Sequence, residues 1–179
     1  KKIIEFINIS SNRTCRKLKT NKISFMDIKI KKKLVKNWFK ILQDIICNDI
    51  EELEGKKNIF KSKVWFRDKN KKEGGGEFRI LTNGKIFEKV GVNFSEVYGK
   101  FSKKFRNQIP GTNKSPNFWA SGISIVMHMK NPHIPAMHFN TRYIYTSHGW
   151  FGGGMDVTPC MKDDNLKKWF HTELKKSCD

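Results

Sequence analysis

Apolar residues recur along this chain with two different periods. From Ile30 onward, Leu34, Trp38, Ile41, Ile45 and Ile46 follow at intervals of one to four residues, mostly the three- and four-residue spacing of one helix face, and Gly55 supplies a stop. Ser24-Phe-Met-Asp27 reads as a capping box at the start of this helix. In residues 122–129 and again in 136–143 the period drops to two, the signature of strands. Ser124, Val126 and His128 then share one face of the first run, and His138, Asn140 and Arg142 one face of the second. Antiparallel pairing around residues 130–135, in the register that sets His128 opposite His138, places Ser124 opposite Arg142.

The remaining pattern completes the element list. Residues 64–67 predict a short strand, followed by a polar turn and Gly74-Gly-Gly76. Residues 78–82 and 85–90 flank Asn83-Gly84, which predicts a type I′ hairpin because both central positions need positive φ. Residues 91–95 continue that strand or bend away. Phe94, Val97, Tyr98, Phe101 and Phe105 predict a short helix, 109–116 a loop, and 166–174 a closing helix. The expected fold class is α+β, a single domain with a largely antiparallel sheet flanked by helices. Residues 1–22 read as a poorly ordered basic arm, and 23–179 as the domain.

Charge changes the picture less than its size suggests. Thirty-six Lys and Arg against 17 Asp and Glu give a formal net charge of +19 over 179 residues. Lys is spread along the whole chain, so a solvated surface explains it, and a basic field attracts polycarboxylates as well as phosphates. The reading has no nucleic-acid partner and no membrane span, although a basic nucleic-acid-binding module stays as an alternative. The start of the chain carries no secretory h-region. Cys15, Cys47, Cys160 and Cys178 lack Cys-x-x-Cys spacing, which argues against a zinc ribbon and fits a reducing compartment.

The chemistry concentrates near the C-terminal end. His138 has Asn140 and Arg142 at i+2 and i+4, so a titratable group, an amide and a cation share one strand face, a combination suited to a carboxylate beside a proton-transfer site. A polar outer sheet face explains the same spacing equally well. Asp156 follows Gly152-Gly-Gly154, which reads as a tight loop that exposes the carboxylate; a plain Gly-rich turn is the commoner case. Neither glycine triplet fits a phosphate-loop or dinucleotide fingerprint, and no Gly-x-Ser-x-Gly elbow is present.

Several strings, in order, resemble the oxygen-dependent coproporphyrinogen III oxidase family: Trp65-Phe-Arg67, Glu73-Gly-Gly-Gly-Glu-Phe-Arg79, Phe87-Glu-Lys-Val-Gly-Val-Asn-Phe-Ser95, Gly122-Ile-Ser-Ile-Val-Met-His128, His138-Phe-Asn-Thr-Arg-Tyr143 and Trp150-Phe-Gly-Gly-Gly-Met-Asp-Val-Thr-Pro159. The resemblance covers residues 29–179. It implies haem biosynthesis: two propionates of coproporphyrinogen III are oxidatively decarboxylated to vinyl groups, giving protoporphyrinogen IX. Molecular oxygen is the co-substrate and no organic cofactor is implied, since a porphyrinogen supplies its own electrons. On the same basis His138 is the proton donor and Asp156 meets the pyrrole N–H groups. Ser124, Asn140, Thr141 and Arg142 contact substrate. Bacterial members hold a divalent metal, for which His128, His138 and His171 are the matching positions; other members work without one.

The resemblance further implies a cytoplasmic homodimer, with the mitochondrion as the alternative compartment. The departures from it are a shorter segment between Arg142 and Trp150, Phe78 in place of a small polar residue, and an end at Asp179 before an Arg- and Gly-rich segment of the family. They leave a catalytically inactive remnant that binds porphyrins or anions as the other reading.

Overall fold

The computed structural model describes residues 27–57, 59–105 and 108–178; the predicted N-terminal arm and Ser24 lie outside them. The elements are α1 (Ile28–Glu54), β1 (Lys61–Phe66), β2 (Gly74–Thr82), β3 (Phe87–Lys100), β4 (Asn117–Met129), β5 (Ala136–Tyr145), β6 (Gly149–Thr158) and α2 (Asp164–Cys178). The fold class is α+β as expected. One compact unit, Asp27–Cys160, holds α1 and the sheet, while α2 belongs to a second. Among the described residues, no helix is long and apolar enough to cross a membrane.

The six strands run in chain order, β1-β2-β3-β4-β5-β6, each antiparallel to its neighbours. α1 covers one face. Phe39, Leu42, Cys47 and Ile50 of the helix are buried, as are Val90, Val92, Phe94, Ile123, Ile125 and Met127 of the central strands. Each large apolar side chain removed from water here contributes about 1.5–3 kcal/mol. Gln43 sits in this interface and donates its amide to the carbonyls of Glu77 and Val92, both at 3.0 Å, so one buried helix residue ties down β2 and β3 together.

The helix is where the pattern put it, but its buried face is not. Asp27, the last residue of the expected capping box, is itself the N-cap and accepts from Lys29 N at 3.0 Å. Gly55 closes the helix in the left-handed region, φ 69°. Ile30, Leu34, Trp38 and Ile41, taken from the spacing as the core stripe, are each about half exposed. α1 carries two apolar stripes, and Phe39, Leu42 and Ile50 win because Gln43 and Glu54 on that same side bond to the sheet.

Three local expectations give way to pairing. Residues 94–100 are not helical: β3 runs on to Lys100 because β4 matches it as far as Lys100 opposite Asn117, leaving only a 3-10 turn at Lys103–Phe105. The Asn83-Gly84 hairpin forms, but only Asn83 has positive φ, 55°, so the turn is not type I′. Its amides are claimed from outside, since Lys85, Ile86 and Phe87 all donate to the Glu54 carboxylate. Both glycine triplets lie in strands, the first opening β2 and the second inside β6.

Candidate functional site

The face of the sheet away from α1 is open. β4 shows the division most clearly, with Ile123, Ile125 and Met127 buried and Ser124, Val126 and His128 exposed. On the open side the register generates three rows across the strands. The first runs Lys61, Ile80, Gly91, Val126, His138, Asp156; the second Lys63, Phe78, Asn93, Ser124, Asn140, Gly154; the third Trp65, Gly76, Ser95, Gly122, Arg142, Gly152. Polar groups occupy the middle of this wall. Half-buried Phe78, Ile80, Trp65, Ile144 and Trp150 border them.

The β4–β5 register differs from the expected one by two residues. His138 lies opposite Val126, Ser124 opposite Asn140, and Arg142 opposite Gly122. The connecting loop sets this: Asn131 Oδ1 accepts from His133 N at 3.0 Å and Asn131 O from Ile134 N at 3.1 Å, while Lys130 N donates to Ile86 O on β3's side. An even shift leaves every side chain on its expected face. His128 and His138 remain neighbours, with ring centroids 6.3 Å apart.

β6 brings Asp156 in as a strand residue, directly opposite His138. The expected tight loop fails because β5 pairs along all ten residues of β6, and the glycines adopt extended backbone. His138 Nδ1 lies 3.1 Å from Asp156 Oδ1 and 3.3 Å from Oδ2. A carboxylate only accepts, so Nδ1 is assigned the proton in this contact and Nε2 takes no part in it. The carboxylate is 64% exposed, which leaves most of its acceptor sites for a ligand. Beside this pair, Arg142 Nη2 donates to Asn140 Oδ1 at 2.8 Å. Asn140 and Arg142 each face a glycine across the strand, Gly154 and Gly152, above which a side chain would meet nothing within 4 Å.

The structure therefore gathers Ser124, His128, His138, Asn140, Arg142 and Asp156 on one wall. Thr141 points the other way, aligned with Ile123 and Gly153, so its side chain does not join them. His171 lies on α2, in the second unit. Among the described residues no three His, Cys, Asp or Glu side chains are grouped to hold a metal ion. Asp156 engages only Nδ1 of His138, so Nε2 is the nitrogen of that ring that could meet a metal. Trp65 and Asn93, which the sequence pattern does not assign to this wall, lie on it too, joined by a bond of 2.9 Å from Trp65 Nε1 to Asn93 Oδ1. The alternation Gly91, Asn93, Ser95 against Val92 and Phe94 carried that signal, but the helical reading of the next residues obscured it.

A continuous antiparallel sheet with one helix-covered face and one polar, glycine-lined face defines the class of this chain as α+β. The family model described as Coproporphyrinogen III oxidase matches residues 34–179. Among curated proteins, the chain is 45% identical over 152 residues to the oxygen-dependent coproporphyrinogen-III oxidase of Rickettsia felis and 47% identical over 153 residues to that of Rickettsia typhi. Each comparison covers 83% of this chain and 54% of the relative, so the chain spans about half the length of the curated relatives it matches. The chain belongs to the coproporphyrinogen III oxidase family.

Proposed function

We propose that this chain carries the substrate wall of an oxygen-dependent coproporphyrinogen III oxidase, converting two propionate side chains to vinyl groups in haem biosynthesis. The observation that supports it best is the His138–Asp156 pair beside Arg142 and Asn140 on a face kept clear by Gly152 and Gly154. For each side chain, counted as its neutral propionic acid, the group loses carbon dioxide, two electrons and two protons overall. Molecular oxygen takes both electrons and both protons and leaves as hydrogen peroxide. No organic cofactor is required, because the electron-rich pyrroles supply the electrons.

The protein's contribution is position and charge. Arg142 and Ser124 clamp a propionate through charge-assisted bonds. Asp156 accepts from pyrrole N–H groups and offsets positive charge as the ring is oxidised. Through Nδ1 it also fixes the His138 tautomer, so that Nε2 is the atom that exchanges a proton with the substrate. The net charge of +19 favours arrival of a tetracarboxylate.

The proposal includes a homodimer, supported by the exposed stripe Ile30, Leu34, Trp38 and Ile41; sedimentation of the full chain at 21.0 kDa alone would remove it. It also includes the cytoplasm, with the mitochondrion as alternative, supported by the free thiols Cys47 and Cys160.

The test is an aerobic assay of the full chain for carbon dioxide release and vinyl formation. His138→Ala and Asp156→Ala are expected to lower turnover about 100-fold or more while circular dichroism stays unchanged. Full turnover in either variant overturns its role. Binding without turnover in the unaltered chain favours the inactive-remnant reading instead.

A further inference from the structure

We propose that Asn93, oriented by Trp65, is a third member of a carboxylate-binding row with Ser124 and Asn140. Asn93 stands directly opposite Ser124, which stands directly opposite Asn140, all three on the open face. Neighbouring strands are about 4.8 Å apart, so the row is a straight line of three polar side chains about 10 Å long.

The direction of each amide follows from its partner. An indole N–H donates and never accepts, so the 2.9 Å contact from Trp65 Nε1 requires the amide oxygen of Asn93 on the indole side and turns Nδ2 away from it. The guanidinium of Arg142 imposes the same choice on Asn140, whose Oδ1 it holds at 2.8 Å. The Nδ2 of Asn140 finds only a marginal partner in Gly154 O at 3.5 Å. Both amides thus commit their oxygens to donor-only neighbours, which leaves an N–H donor group on each residue flanking Ser124 in the row. Such a row requires an acceptor, and with Arg142 adjacent the matching ligand group is a carboxylate.

The contact between Trp65 and Asn93 is built into β2. Trp65 lies opposite Gly76, and its ring crosses that position to reach β3. A Cβ at Gly76 would come 1.9 Å from the backbone oxygen of Phe94 and 2.9 Å from Trp65 Cζ2, both closer than real side chains approach. The absent side chain is the lane that lets the indole orient Asn93.

This inference rests on the tetracarboxylate reading, and the experiment separates the two. Coproporphyrin III, a stable planar tetracarboxylate, and its tetramethyl ester are titrated by porphyrin absorbance against the full chain and its Asn93→Asp, Asn93→Ala and Trp65→Phe variants. Asn93→Asp replaces a donor by an anion and is expected to weaken the acid by about 10-fold or more, with the ester unchanged within about 2-fold. Trp65→Phe keeps the ring, frees the amide to turn over, and is expected to weaken the acid by about 3-fold; it carries the test should the Asn93 variants fail to fold. Equal affinity of Asn93→Asp and the unaltered chain for coproporphyrin III, or equal losses for acid and ester, overturns the row alone. Failure of the unaltered chain to bind coproporphyrin III overturns the row together with the reading beneath it.

Discussion

Glu54 shows how much one side chain can decide. It is 3% exposed, yet its carboxylate is met by three backbone amides, those of Lys85, Ile86 and Phe87. Burial pushes its pKa up, but those three N–H groups with Lys130 outweigh burial and hold it below the usual carboxylate value of 4.5. The sign is that of a depressed acid. Its contribution to stability is complete above the unfolded pKa and fades as pH falls from there through the lower folded value. Glu54→Gln is expected to cost about 3 kcal/mol at pH 7 in a urea melt, since one amide oxygen replaces two carboxylate oxygens. Its stability should also fall less between pH 6 and 3 than that of the unaltered chain; a parallel decline would show that Glu54 is not the titrating group. None of this was legible in the sequence, where Asn83-Gly84 announces its own turn and nothing links it to a residue thirty positions earlier. His138, Asn140 and Arg142 were legible, because period two is a local property and survives an error in register.

Among the elements, β6 departs furthest from its local signal. Gly152-Gly-Gly154 has almost no preference for a strand, and read alone it is a turn. Pairing with β5 overrides that preference and converts glycine from a hinge into a clearing. Gly154→Val should therefore fold, since valine favours strands and a Cβ there meets open space. It should weaken porphyrin binding by about 10-fold or more through loss of clearance, measured by the same titration. Unchanged affinity would show that the ligand does not pass over β6. β3 teaches the complementary lesson. Phe94, Val97, Tyr98 and Phe101 imitate a helical face, and only the length of β4 opposite them reveals fourteen residues of strand.

At the scale of the molecule, the sheet is a meander in which every strand pairs only with its neighbours in sequence. The α+β class was visible from the alternation of periods, whereas the choice between the two stripes of α1 depends on Gln43 and Glu54 finding partners on the sheet. Hydrogen exchange on the full chain should find β3 and β4 the slowest strands and β6 faster, because β6 is an edge strand while β3 and β4 lie under α1. Protection of β6 equal to that of β4 would show that something outside this sheet holds it. Local contacts of this kind also shape the folding route. Apart from the β3–β4 connection of residues 101–116, each hairpin closes a short loop, so most strands can zip on with little entropy lost at each step. Asp156 rides on an edge strand, paired along one side only and so open to local fraying. The chain can thus keep a native core while His138 is without its partner, and readiness for chemistry becomes a local equilibrium separate from the folding of the domain.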